Sequence, residues 1–245
     1  MKRICMNHRL LVIIVVLLLA TSCAKRQGFS TTEQRLQKAN ELYSNRKFAR
    51  AAELYGDIYF ERASASTAFA LMRQGDSYFA INKFTDARLA YQEFTDVFPN
   101  HPDVATAHFK IGVCFFEESL PPQYDQTETL HAIDAFRKFV ERFPNDPRYQ
   151  EAIEYVRKAQ YKLIEKKFLT GYIHYKMKDY SGALMYFQEI TDLGNSDRLD
   201  RESWYYTTLL YRRQKLHDEA RLSYEQLKQR YPGSRESRKL AKFFQ

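Results

Sequence analysis

Few residues in this chain are placed to attack, donate or ligate. Of the three cysteines, Cys23 alone stands where a thiol would be selected for its reactivity. It follows the unbroken apolar run Leu10–Ala20 and the small residues Thr21 and Ser22, and Lys2, Arg3 and Arg9 precede the run. His101 and His108 are accompanied by no cysteine or carboxylate cluster, so they read as a capping and a packing histidine rather than as a metal pair. His131, His174 and His217 fall in helical stretches and read as packing or surface residues. There is no Gly-x-Ser-x-Gly, no phosphate-cradling Gly-rich loop, no His-Glu-x-x-His and no Cys-x-x-Cys. We therefore expect no enzyme, no metal and no cofactor.

The chemistry at Cys23 depends on the segment before it. At ~1.5 Å per residue the apolar run reaches ~17 Å, well short of a ~30 Å hydrocarbon core. That length suits the h-region of an export signal. Leu19-Ala20-Thr21-Ser22-Cys23 resembles the bacterial lipobox, with Ala20 where Leu is usual. The resemblance implies a signal over residues 1–22, a diacylglycerol on the Cys23 sulfur and acylation of its freed amine. Several acyl chains anchor stably where one would be marginal. Ala24 after the cysteine implies delivery to the outer membrane. The alternative is an ordinary secretory signal with a coincidental cysteine. Cys5 would leave with the signal, and Cys114, in an apolar helical stretch, reads as a small core residue.

The remaining chain must position whatever such an anchor carries. Aromatics make up 15% of the residues against 8 Gly and 7 Pro. That is too apolar for a disordered chain and too poor in turn residues for an all-β domain. Residues 23–30 read as a polar tether, and beyond it the periodicity is helical throughout. Gly75, Tyr78, Ala87, Tyr91, Phe94 and Pro99 follow the spacing of the tetratricopeptide repeat. Ala39, Leu42, Ala51, Tyr55 and Ile58 make a first copy. Gly171, Ala183, Phe187 and Ile190 make a fourth, and Trp204, Tyr211, Ala220, Tyr224, Leu227 and Pro232 a fifth. The third is split: Gly112 and Phe115 open it, and Ala132, Phe136, Phe139 and Pro144 complete it after an insertion. The small residue lets two helices approach, aromatics fill the space around them, and Pro stops the hairpin. The expected fold is all-α, a solenoid of about five hairpins: repeats 1–3 over residues 31–145, repeats 4–5 over 146–245. A helical pattern from about Arg148 to Lys176, a rod of ~40 Å, would join them.

Such a stack offers a groove lined by the first helix of each hairpin. Tyr43, Phe79, Phe116 and Tyr175 hold equivalent groove-side positions. They read either as a ladder gripping an extended, aromatic-bearing segment or as half-buried packing. Asn40 and Asp76 beside them read either as donors and acceptors for a peptide backbone or as a solvated face. Asp125 and Glu128 in the insertion are spaced as a capping box for the next helix.

The lipobox, the five repeats, the long fourth first-helix and the insertion ending in Tyr124-Asp125-Gln126-Thr127-Glu128 together resemble the BamD family. Phe98-Pro99-Asn100-His101-Pro102 and Phe143-Pro144-Asn145 fit the resemblance, which covers nearly the whole mature chain. These are lipoprotein subunits of the machine that assembles outer-membrane β-barrels. The resemblance implies that repeats 1–3 meet unfolded outer-membrane proteins, and that repeats 4–5 dock on the periplasmic domains of the barrel-forming subunit. It also implies a lipid-anchored position on the periplasmic face of the outer membrane. The insertion motif Asp125, Gln126 and Thr127 then contacts a ligand or starts a helix. Family members dock through an arginine near the second helix of repeat 4. Tyr186 stands there in this chain, so the docking would use aromatic packing or nearby basic residues. A repeat lipoprotein serving cell-wall synthesis or secretion is the competing class.

The formal charge is +8, and Arg221, Lys228, Arg230, Arg235, Arg238, Lys239 and Lys242 crowd the C-terminal end. No nucleic-acid motif accompanies them, so no nucleic-acid partner is expected. They form a solvated face or a contact for an acidic partner or anionic head groups.

Overall fold

Every regular element among the described residues is a helix. The computed structural model describes residues 31–61, 66–195 and 197–244, so the expected signal over residues 1–22, Cys23 and the whole expected tether lie outside the described residues. The helices are α1 (Thr32–Ser44), α2 (Phe48–Glu61), α3 (Thr67–Phe79), α4 (Phe84–Val97), α5 (Val104–Glu118), α6 (Thr127–Arg142), α7 (Tyr149–Met177), α8 (Tyr180–Asp192), α9 (Arg198–Arg213), α10 (His217–Arg230) and α11 (Arg235–Ala241). They pair as antiparallel hairpins, α1 with α2 through α9 with α10, and α11 closes the last one.

The small residues of the repeat set the hairpin spacing. A Cβ added to Gly75 would stand 2.5 Å from the Tyr91 ring, and one added to Gly112 2.8 Å from Phe136. Each aromatic ring therefore lies where a side chain on the facing helix would otherwise be. The turn inside the hairpin is also set by register. Arg46, Asn82, Lys178 and Lys215 each follow a first helix and each take the left-handed conformation, with φ between 57° and 64°. The third hairpin breaks this rule. Ser119, in the equivalent place, is extended (φ −68°, ψ 128°), and the insertion leaves from it.

The long helix serves two hairpins. α7 runs for 29 residues. Its first half closes repeat 3: Ala152 is buried against Phe136 and Phe139, and the Tyr155 ring stacks on Phe136 at 4.7 Å. Its second half is the first helix of repeat 4, with Phe168 packed on Phe187 and Ile190.

Candidate binding surfaces

Side chains link the first helices of repeats 1 to 3 in one row and those of repeats 4 and 5 in another. The Arg73 guanidinium on α3 lies 5.1 Å from the Tyr43 ring centroid on α1 and 5.2 Å from that of Phe69. Asp76 on α3 forms an ion pair with Lys110 on α5. The Phe116 ring meets Tyr155 of α7 edge-on at 5.1 Å. Further along, Tyr206 on α9 meets Tyr175 on α7 at 5.1 Å, and Arg213 lies 5.3 Å from the Tyr175 ring. Tyr43, Phe79, Phe116 and Tyr175 are all half-buried, and Phe69 among them is exposed. Phe79 packs on Phe84 at 5.2 Å and belongs to the cores of repeats 2 and 3.

Asn40 and Asp76 each accept a bond within their own hairpin. Tyr55 donates its hydroxyl to Asn40 Oδ1 at 2.7 Å, and Tyr91 donates to Asp76 Oδ1 at 2.8 Å. Both pairs span the same offset, so this is a repeat feature. It gives the two buried phenols an acceptor. Burial raises the Tyr55 hydroxyl to about 12 and pushes Tyr91 further in the same direction.

The insertion is held from inside. Gln126 is buried, and its amide nitrogen lies 2.9 Å from Pro121 O, 3.0 Å from Asp125 O, 3.2 Å from Leu120 O and 3.3 Å from Tyr124 O. Its oxygen accepts from Thr129 Oγ1 at 2.7 Å. One side chain thus gathers most of the loop. Two lysines of α7 clamp the same loop from outside. Lys162 donates to Ser119 O at 2.9 Å, and Lys166 to Tyr124 O at 2.8 Å.

The capping box expected from Asp125 and Glu128 does not form. Gln126 precedes α6 directly and no side chain caps the helix. Placing Gln126 there moves Asp125 one residue outward, where its Oδ1 accepts from Thr127 N at 2.9 Å. That backbone N–H holds the Asp125 carboxyl below its ordinary range. Thr127, exposed, begins the helix. Glu128 instead faces His131 at 3.5 Å.

Tyr186 is half-buried on α8, and its ring stacks on His174 at 5.5 Å. His174 Nδ1 is 2.7 Å from Asp179 Oδ2, and Asp179 Oδ1 accepts from Gly182 N at 3.1 Å. Those bonds, the Gly182 N–H first, lower the Asp179 carboxyl. The remaining histidines have plain roles. His101 Nδ1 accepts from Asp103 N at 3.1 Å ahead of α5, and His108 packs on Phe143 at 5.5 Å. Trp204 packs against the Tyr224 and Leu227 cluster, and Cys114 is a buried core residue.

Two grooves open on the molecule at equivalent places in the repeat. One of about 350 Å³ is lined by Tyr59, Phe60, Leu71, Tyr78, Leu89 and Glu93. The other, about 280 Å³, is lined in the same register by Thr191, Asp192, Trp204, Tyr211, Leu222 and Gln226. Sequence reasoning missed these grooves, along with Arg73, Lys110 and the lysine clamp. The matched offsets of Asn40 with Tyr55 and of Asp76 with Tyr91 were a readable signal for the inter-helix pairing.

A known family covers both halves of this arrangement and the insertion between them. YfiO, described as outer membrane lipoprotein, matches residues 22–221. The chain belongs to the YfiO family. A curated relative, the outer membrane protein assembly factor BamD of Caulobacter vibrioides, is 22% identical over 166 residues, 68% of this chain and 54% of the relative. This YfiO-family chain thus spans about half the length of that relative. Among solved structures, the TPR2AB-domain:pHSP90 complex of yeast Sti1 is similar at a TM-score of 0.46 and 12% identity, over 84% of this chain and 80% of that one. PilF of Pseudomonas aeruginosa is similar at a TM-score of 0.38 and 16% identity, over 87% and 82%.

Proposed function

We propose that this chain is a lipid-anchored scaffold subunit of the complex that assembles β-barrel proteins in the outer membrane. The family match takes in Cys23, which supports lipidation there and a position on the periplasmic face. The match to an assembly factor over most of the chain supports the assembly role. In this reading the first-helix row of repeats 1–3 holds unfolded barrel segments, and repeats 4–5, with Tyr186 at the edge of the contact, hold the periplasmic domains of the barrel-forming subunit.

The observation that carries the substrate half is the aromatic row itself. Tyr43, Phe69, Phe79 and Phe116 stand on successive first helices, with Arg73 between the first two rings. Barrel strands alternate apolar and polar residues and end in aromatic girdles. An extended segment of that kind can lay alternate side chains on the rings while its polar groups face water. Nothing catalytic is required, because the work is holding and handing over.

Affinity purification of the complete chain from detergent-solubilised membranes tests the reading. The large barrel-forming subunit should be recovered; cell-wall enzymes in its place would move the chain to the competing class. The groove is tested separately. Phe79→Ala with Phe116→Ala should weaken binding of a C-terminal barrel peptide by ~10-fold or more, at roughly 1 kcal/mol per ring. Helical circular dichroism should persist. Collapse of helicity would mean that the rings serve only the cores they pack on and that the groove reading is wrong.

A further inference from the structure

The first helix of each hairpin carries a second stripe, turned toward the preceding hairpin. In α3, α5 and α9 this stripe runs through Ala70 and Ser77, through Ala107 and Cys114, and through Ser203 and Leu210, and all six are 0% exposed. What covers them is the second helix of the repeat before: α2, α4 and α8. The same register in repeat 4 gives Lys166 and Ile173, followed by Met177. Ile173 is 57% exposed and Met177 72%. The reason is α7. Its first half takes the helix α6 that would otherwise have covered its second half.

An uncovered end of a solenoid is ordinarily polar. Repeat 1 follows that rule. It too has no described predecessor, and its stripe is Lys38, Glu41 and Asn45, with Lys38 and Glu41 paired at 2.9 Å. Repeat 4 does not. Lys162, Lys166, Thr170, Ile173 and Met177 lie on one face of α7 by their spacing. The upper two hold the insertion, whose Leu120 and Tyr124 are exposed beside them. The lower end is apolar and open.

We propose that this stripe, walled by the insertion, is the seat of an amphipathic helix from a partner protein, lying where the second helix of a preceding repeat would lie. The occupant's chemistry follows from the charges around the seat. The open seat is flanked by Lys162 and Lys166 above and by Lys176 and Lys178 around Met177. The partner helix therefore presents an apolar stripe edged with carboxylates. The seat rests on the proposed function and deepens it, because the insertion gains a role within the scaffold. Gln126 and the two lysines hold a wall against which the helix registers.

The test uses the complete, membrane-anchored chain with the photo-crosslinking residue p-benzoylphenylalanine placed as Met177→p-benzoylphenylalanine. The expected adduct maps to a segment of another protein with apolar residues at helical spacing and flanking carboxylates. Adding Ile173→Glu should cut that adduct at least ~10-fold while the melting temperature holds. An adduct with a second copy of this chain, with lipid or with an extended segment overturns the inference. So does an adduct that Ile173→Glu leaves unchanged, or no adduct at all. Purification of the unlabelled chain separates the two claims. Recovery of the barrel-forming subunit by the wild type, with no adduct at Met177, removes the seat and keeps the scaffold reading. Failure of the wild type to recover it removes the scaffold reading.

Discussion

Repeats 2 and 4 follow one register and are held by different chemistry. In repeat 2 the second-helix aromatic is Tyr91, and the residue after the small position is Asp76, which accepts its hydroxyl and pairs with Lys110. In repeat 4 the same two places hold Phe187 and Tyr172, which pack among rings, and Tyr206 stacks on Phe187 at 5.3 Å. Both members of the polar pair have changed together. That is the substitution that physical chemistry tolerates, since losing one partner strands a buried polar group and losing both does not. The polar lock therefore joins the first helices of the N-terminal half into a row, while the ring lock joins repeat 4 to repeat 5, and the repeat 4 helix meets the hairpin before it at the insertion, through Lys162 and Lys166.

The largest difference between the two repeats is expected at their small positions. Gly75→Ala places its Cβ 2.5 Å from the Tyr91 ring, between two covered hairpins, and should cost about 3 kcal/mol in urea unfolding. Gly171→Ala meets Tyr186 and Phe187 at 3.0 and 3.1 Å beside an uncovered stripe, and should cost about 1 kcal/mol. Equal costs would show that the open stripe does not loosen repeat 4. Next, Asp76→Leu strands the Tyr91 hydroxyl and should cost about 2 kcal/mol, and adding Tyr91→Phe should recover part of that loss. No recovery would mean that the bond to Lys110 carries the pair.

The smallest effect is a pH dependence centred on His108 in repeat 3. Burial, with the Arg142 guanidinium adding to it, holds the His108 imidazole below its ordinary value. The unfolded chain then binds the proton more readily than the folded one. Stability is complete above the unfolded value of about 6.5 and falls as pH drops through the folded value. His108→Gln should flatten the fall in melting temperature between neutral and mildly acid pH. An unchanged slope would place the titrating group elsewhere.

Much of the fold was legible in the residues. The small positions, the aromatics across from them and the stopping prolines are local, and each has one physical job, so the hairpins and the long helix could be read from spacing. What spacing could not show is which faces find a neighbour. Ile173 and Cys114 hold the same register, yet one is open and the other sealed, because the difference lies in where α6 packs. The roles in the insertion were hidden for a related reason. Asp125 and Glu128 have capping spacing, but Gln126 satisfies the loop carbonyls only when buried beside the helix, and that moves the cap residue away. Residue type at Asn40 and Asp76 does not reveal that one oxygen of each is taken by a tyrosine of the same hairpin, while Asp76 also pairs with Lys110.

Whether the two halves divide the labour can be decided by crosslinking from both of them in living cells. The photo-reactive residue would stand in one strain at Phe69, on the first-helix row, and in another at Ile173, on the open stripe of repeat 4. Adducts with newly exported barrel proteins are expected from Phe69, and adducts with a different, resident membrane protein from Ile173. The same set of adducts from both positions would contradict a division of labour.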